Sequence, residues 1–337
     1  MLSEIALHGN EDSAAPGLRS SAHMAHRTAR VTMKRNQEVA SVRRATGRMK
    51  MCRSIFVGLS TMDIVYRVDE FPAANTKVAA QSQSVYAGGP ATNAAIACAH
   101  LAGEATLTTV VGRNALAGVI REELDRYSVQ LIDLSPDFDG MPAISSVSVD
   151  KSGNRNVVSA NAMRIPVPTA KADDELCRQA RILMVDGHHM QACQAWAAAA
   201  QACGTPVVFD GGSWKDGTEE LLKSVDTAIC SADFIPPGCA STSDVFEFLR
   251  SRGVTNIAIT NGSAPIQILS GRSSASVRVP QVEVVDTMGA GDILHGAYCY
   301  FASLGLGFVD ALIEAAKIAS ESCRYAGTRE WMKHSLA

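Results

Sequence analysis

The chain has 337 residues, 47% of them apolar, and a formal net charge of −3. That length suits one large α/β domain, or one domain with an appendage. The near-neutral balance argues against a nucleic-acid partner or a membrane surface, and no apolar run approaches the ~20 residues that cross a bilayer.

The N-terminal segment stands apart. "GNEDSAAPGLRSSAH" is polar, and "RTARVTMKRNQEVASVRRATGRMKMCR" is basic without a sustained apolar face. No signal-peptide apolar core is present, and Glu4, Glu11 and Asp12 are acids that a transit peptide avoids. The expected organisation is a disordered basic tail over residues 1–53 and a folded domain over 54–337. The tail reads either as disordered or as sequence upstream of a start at Met49 or Met51, with a weak anion-binding arm as the competing reading.

From Ser54 onward, apolar runs alternate with helical patterns. "SIFVGLS" reads as a buried strand, "ATNAAIACAHLA" as an Ala-rich helix and "ATLTTVVG" as the next strand. "LAGVIREELDRY" is helical, with Leu116, Val119, Ile120, Leu124 and Tyr127 on one face. Further strands are expected at "RILMVDG", "PVVFDGG", "DTAICS" and "NIAITNG". Helices are expected at "QACQAWAAAAQACG", "TEELLKSV" and "SDVFEFLRSRG". This alternation predicts a mostly parallel sheet covered by helices on both faces. Two segments, near 63–86 and 140–161, instead alternate apolar and polar residues like half-exposed strands. They predict a small β lid that packs on the main domain or on a second copy of the chain.

Ligands of such sheets bind beyond the carboxyl ends of the strands. Here those ends read "GLSTMD", "VDGHH", "FDGGS", "CSADF", "TNGSA" and "DTMGAGD", all small, polar or acidic. The nine cysteines are odd in number, form no CxxC and sit mostly in apolar segments. Buried thiols and a reducing, cytoplasmic compartment explain them better than disulfides or zinc.

The segment "VEVVDTMGAGDILHGAYCYFASLG" carries the most chemistry. A strand-like run ends at Asp286, and a helix begins near Asp292. Between them the N–H groups of Gly289, Ala290, Gly291 and Asp292 can converge on an anion at the positive end of the helix dipole. A phosphoryl group in transit suits that pocket, and Asp292 can take the proton of the accepting hydroxyl. Asp286 and Thr287 can offer oxygens to a cation. The bland alternative is a tight turn with a capping aspartate.

"DTMGAGDILHGA" resembles the C-terminal signature of the ribokinase-like sugar kinases of the phosphofructokinase-B type. "YAGGPATNAAIACAHLAG" resembles their N-terminal signature, and "GLSTMDIVYRVDEFP" their opening strand. The resemblance runs from about Ser54 to Arg329. It implies a ribokinase-like three-layer sandwich and an ATP-dependent transfer of phosphate to a hydroxyl of a small sugar or sugar derivative. Asp292 then matches the general base, and the backbone of Gly289, Ala290 and Gly291 the anion hole. Asp63, Gly88, Gly89 and Asn93 match the sugar-binding residues. Thr260 and Gly262 match the turn that meets ATP, although Asn261 stands where the family usually has Gly. Ser231 replaces the Asn of an Asn-x-x-Glu segment linked to magnesium, leaving Asp233 as the nearby acid.

Many relatives bind potassium near the anion hole, a site that Asp286, Thr287, Tyr325 and Gly327 resemble. "ESCRYAGTR" resembles the ending of relatives acting on sulfofructose and similar ketoses. Lys77 then either meets an anionic substituent or is a solvated lid lysine. His188 and His189 are candidates for a substrate contact rather than a metal site, and His295, Trp196 and Trp214 for packing. A nucleoside kinase is the nearest variant, though the lid offers few aromatics beyond Tyr66, Phe71 and Tyr86. An inactive nucleotide-binding regulator is a second class. A dinucleotide-dependent oxidoreductase ranks last, because its G-x-G would follow the first strand.

Overall fold

The Val- and Ile-rich runs become strands and the Ala- and Leu-rich segments helices in the computed structural model, which describes residues 53–160, 165, 167 and 171–334. The first half contains β1 (Arg53–Val57), β2 (Thr61–Arg67), β3 (Ser82–Gly88), α1 (Pro90–His100), β4 (Glu104–Thr109) and α2 (Ala117–Arg126). Next come β5 (Gln130–Asp133), β6 (Ile144–Val149), β7 (Arg155–Ser159), α3 (Asp174–Gln179), β8 (Ile182–Val185) and α4 (Met190–Ala202). The chain continues through β9 (Val207–Gly211), α5 (Thr218–Leu221), β10 (Thr227–Ser231), α6 (Thr242–Ser251), β11 (Asn256–Thr260), β12 (Ile266–Ser270) and β13 (Ser273–Val277). It closes with α7 (Ala290–Ser303) and α8 (Phe308–Ser322). The expected tail lies outside the described residues, apart from Arg53, which opens β1.

Nine strands form one sheet in the order β13-β12-β11-β10-β9-β8-β1-β4-β5. The seven from β11 to β5 pair in parallel, whereas β12 and β13 add an antiparallel edge through a turn at Gly271. Along β1, Phe56 points to one face while Ile55 and Val57 point to the other. That alternation feeds two apolar cores, one under α1, α2, α7 and α8 and one under α3, α4, α5 and α6. The sheet is therefore the middle of three layers.

A second sheet of four strands has the order β3-β2-β6-β7. Both half-exposed segments enter it, so the lid expected near 63–86 and 140–161 is one sheet, with residue 161 outside the described set. The buried strand read in "SIFVGLS" and the lid strand that follows it are separate elements. The chain leaves the large sheet at Val57, passes Gly58–Ser60 and joins the lid as β2.

Three local expectations need correction. Val282 to Val285 form no strand. Val285 and Asp286 instead donate their N–H groups to the Cys323 carbonyl. Val119 is exposed at 39%, so the apolar face of α2 consists of Ala117, Ile120 and Leu124, joined by the acid Glu123. The antiparallel β12–β13 edge was not anticipated at all. Among the described residues eight cysteines are free thiols, and no helix is long and apolar enough to cross a membrane.

Candidate active site

A parallel sheet leaves its strand ends on one side, and α7 begins there. Its N-cap, Gly289, lies in the left-handed region at φ 69°, and a Cβ there would sit 2.7 Å from Thr328 Cγ2. Only glycine fits both constraints. Ala290, expected among the anion donors, spends its N–H on the Thr287 carbonyl at 3.3 Å. The N–H groups of Gly289, Gly291 and Asp292 meet no acceptor among the described residues. No atom lies within 4 Å of a Cβ built on Gly291, so the turn opens onto free space. Three unspent donors at the positive end of a helix suit an anion.

Asn93, on α1, donates from Nδ2 to Asp292 Oδ2 at 2.7 Å. Its Oδ1 accepts from Arg329 Nη1 at 3.0 Å. A guanidinium only donates, so the Asn93 carbonyl must face Arg329 and its amide group Asp292. Arg329 Nε donates to Glu123 Oε1 at 2.7 Å, and both residues are buried. The pair also holds Ala87 of β3: Glu123 accepts its N–H, and Arg329 donates to its carbonyl. A fixed relay thus runs from the lid through Glu123, Arg329 and Asn93 to Asp292.

Burial pushes the Asp292 carboxyl up to about 7, with a further rise from the Asp210 carboxylate and opposition from Asn93 and His295. Such a carboxylate accepts protons near neutral pH. The charge of Asp63, on β2, adds to the same rise. Burial raises Asp63 as well, against hydrogen bonds from Thr61 and Ser145. Thr61 Oγ1 donates to Asp63 Oδ1 at 2.6 Å. A Cβ on Gly88 would lie 1.9 Å from Asp63 Oδ2, so that glycine makes room for the carboxyl. Gly89, at φ 94°, lets α1 start against the Leu59 carbonyl, which a Cβ would approach to 2.4 Å.

Two acids that the sequence reading passed over organise the floor. Asp186, at the end of β8, accepts N–H groups from Leu59 at 2.9 Å, Ala91 at 3.1 Å and His188 at 2.8 Å. It pins the β1–β2 connection, the start of α1 and the β8 turn together. Asp210 of β9 stands 3.5 Å from His295 Nδ1. His295 is wedged between the Gly291 carbonyl at 2.7 Å and the Ile229 carbonyl at 3.0 Å, which ties α7 to β10. His189 adopts φ 50°, and burial pushes its ring down to about 4, leaving it neutral at pH 7. Trp196 is buried, and Trp214 packs against Phe234 and Phe248.

On the other side, Ser231 and Thr260 are register partners at the ends of β10 and β11. The Ser231 hydroxyl bridges the Gly212 carbonyl at 3.0 Å and the Asp233 N–H at 3.1 Å. Gly262, at φ 53°, faces open space. No group of three or more His, Cys, Asp or Glu residues able to hold a metal occurs among the described residues. Lys77 is exposed on the loop between β2 and β3, and no hydrogen bond or ion pair reaches it among the described residues. Asp286 is buried and accepts from Arg67, Gly327 and Met288, whereas Thr287 is exposed. Tyr325 donates to Glu321 and stacks on His334.

The model of the pfkB family carbohydrate kinases matches residues 51–334. The chain belongs to that family. This carbohydrate kinase is 26% identical over 251 residues, 74% of its own length and 84% of the other, to the ATP-dependent ribose-1-phosphate kinase of Halopiger xanaduensis. Its fold is that of the ribokinase from Arabidopsis thaliana solved with ribose and ATP, at TM-score 0.68 and 22% identity over 85% of this chain and all of that one. The Thermotoga maritima ribokinase is similar, at TM-score 0.70 and 20% identity over 84% of this chain and 98% of that one. The kinase uses ATP, as its family does.

The kinase brings Asn93, Gly289 and Asp292 together, and sets Asp63 against Gly88 on the lid strands. Glu123 was the hardest residue to foresee, since "REELDRY" reads as a solvated face. Its spacing from Ile120 and Leu124 was the available signal, because an acid on the apolar side of a helix needs a buried partner.

Proposed function

We propose that the protein transfers the γ-phosphoryl group of ATP to a hydroxyl of a small sugar or sugar derivative held between Asp63, Asn93 and Asp292. The observation that carries this reading is the 2.7 Å bond from Asn93 to Asp292, beside three N–H groups without acceptors. The acceptor hydroxyl gives its proton to Asp292 as its oxygen attacks the γ-phosphorus. The bond from that phosphorus to the bridging oxygen breaks, and ADP leaves with the electron pair. The N–H groups of Gly289, Gly291 and Asp292 stabilise charge on the transferring phosphoryl oxygens. Asp63 and the backbone at Gly88 and Gly89 orient sugar hydroxyls, whose desolvation is costly when unpaired. Ser231, Thr260 and Gly262 line the nucleotide side. Magnesium bound with ATP would be held mainly by phosphates and water, and would screen the charge of the phosphates.

Ribose leads the proposed substrates, because relatives named above act on ribose and ribose-1-phosphate. The branch acting on sulfonated ketoses is less favoured, since Arg329 of the Gly-x-Arg ending is spent on Glu123 and Asn93. The free thiols support a cytoplasmic setting. Val85, Val157 and Val158 are exposed on the lid, Val158 at 76%, which supports a homodimer through that sheet. A monomer in sedimentation velocity at micromolar concentration would remove the dimer.

The deciding experiment measures ADP release across pentoses, hexoses, sugar phosphates and nucleosides. Turnover with at least one sugar is expected, and Asp292→Asn should lower kcat ~10²–10⁴-fold while ATP still binds. Full activity in that variant refutes the base, and turnover with nucleosides alone replaces the sugar reading.

A further inference from the structure

Asp286 heads the segment that becomes the anion-hole turn, and it is only 3% exposed. The family resemblance implies a monovalent cation at this carboxylate. Its oxygens are already engaged. Oδ1 accepts the Met288 N–H, and Oδ2 accepts both the Gly327 N–H and Arg67 Nη2, each at 2.9 Å. Arg67 is the last residue of β2, so the positive charge comes from the lid, 219 positions earlier in the chain. A second cation on the same oxygen would stand beside a guanidinium and be repelled by it. The residues therefore do not fit a monovalent ion at Asp286.

We propose that Arg67 is the built-in counter-ion of the anion-hole segment, so that the enzyme needs no monovalent cation, and that it couples the lid to the phosphoryl site. Residues two apart along a strand share a face, so Asp63 and Arg67 lie on the same side of β2. The strand face that offers Asp63 to the sugar offers Arg67 to Asp286. Asp286 in turn fixes Met288, next to Gly289, through its Oδ1. A lid displaced from the sugar pocket would pull Arg67 from Asp286 and loosen the turn whose N–H groups face the phosphoryl group. Arg67 is thus a positioning residue and touches no reacting atom. Without it, a buried carboxylate keeps only neutral donors, a costly state that invites a small cation into the gap.

The kinetic arm of the test rests on the phosphotransfer reading, whereas the thermal arm does not. Wild-type kcat is measured in choline, sodium and potassium chloride at constant ionic strength. It should vary by less than about twofold, beyond ordinary screening. Strong activation by potassium overturns the proposal. Arg67→Gln should lose about tenfold or more in kcat in choline chloride and recover much of it in potassium chloride, with KM for ATP little changed. Arg67→Lys should need no potassium. Wild-type kinetics for Arg67→Gln in choline chloride also overturns the proposal. Thermal unfolding without substrate should be insensitive to potassium in the wild type and stabilised by potassium in Arg67→Gln. The double variant Arg67→Gln/Asp286→Asn should lose that sensitivity. A potassium-dependent wild-type midpoint, or an insensitive Arg67→Gln, counts against the proposal even if no phosphorylated product is found.

Discussion

Asp292 carries two opposed influences. Burial pushes its carboxyl up to about 7, while the Asn93 amide holds the charged form in place. A base must be deprotonated to act, so kcat/KM should fall with unit slope as pH drops below about 7. A profile flat down to about pH 5 would contradict that basicity. The stability consequence has the opposite sign. A carboxyl raised from 3.8 to about 7 favours the folded state only when protonated, so that contribution is full below about 4 and lost as pH rises through 7. Asp292→Asn should therefore raise the unfolding midpoint at pH 8 and change it little at pH 4. Equal shifts at both pH values would mean that the carboxyl is not raised by burial. Asn93 matters differently: Asn93→Asp sets a carboxylate against Asp292 while keeping the Arg329 contact.

At the scale of elements, the site depends on how closely α1 and α7 approach. A Cβ on Gly296 would lie 2.2 Å from the Ala94 carbonyl, so only glycine allows the contact that brings Asn93 to Asp292. Gly296→Ala should cost ~1–3 kcal/mol and lower kcat by moving Asn93, which denaturant titration and kinetics read separately. An unchanged midpoint would show that the two helices are not so tightly joined. The Glu123–Arg329 pair anchors β3 to the same helices. Glu123→Gln leaves a buried guanidinium without a counter-charge and should cost ~3–5 kcal/mol. Replacing both members with apolar residues of similar volume should cost less than that single change. A double variant worse than the sum of the singles would deny the coupling.

At the scale of the molecule, a mostly parallel nine-stranded sheet is joined by a separate four-stranded sheet. The family match and the first described strand both begin near residue 51. Deleting residues 1–50 should therefore leave kcat and KM unchanged, and lost turnover would give that segment a role. Six of the parallel strands of the large sheet were readable beforehand because mainly apolar runs end there in turn residues, whereas β5 escaped, its "QLID" being polar at both ends and only partly buried. The β12–β13 edge escaped notice because "SSASV" is almost wholly polar and exposed, and an exposed Gln267 interrupts the apolar residues of "IQILS". The misread strand at Val282–Val285 had the right residues, but Val285 and Asp286 give their N–H groups to the Cys323 carbonyl beyond α8.

The family motifs and the need for glycine at Gly289 were visible in the chain alone, because backbone conformation and helix-start chemistry are local. The pairing of charges was not. Asn93 meets Asp292 across 199 positions, Glu123 meets Arg329 across 206, and Arg67 meets Asp286 across 219. A carboxylate in a sequence looks the same whether it is a solvated acid, a structural anchor or a base. Only burial and the neighbour brought to it by folding set its charge, its orientation and its work.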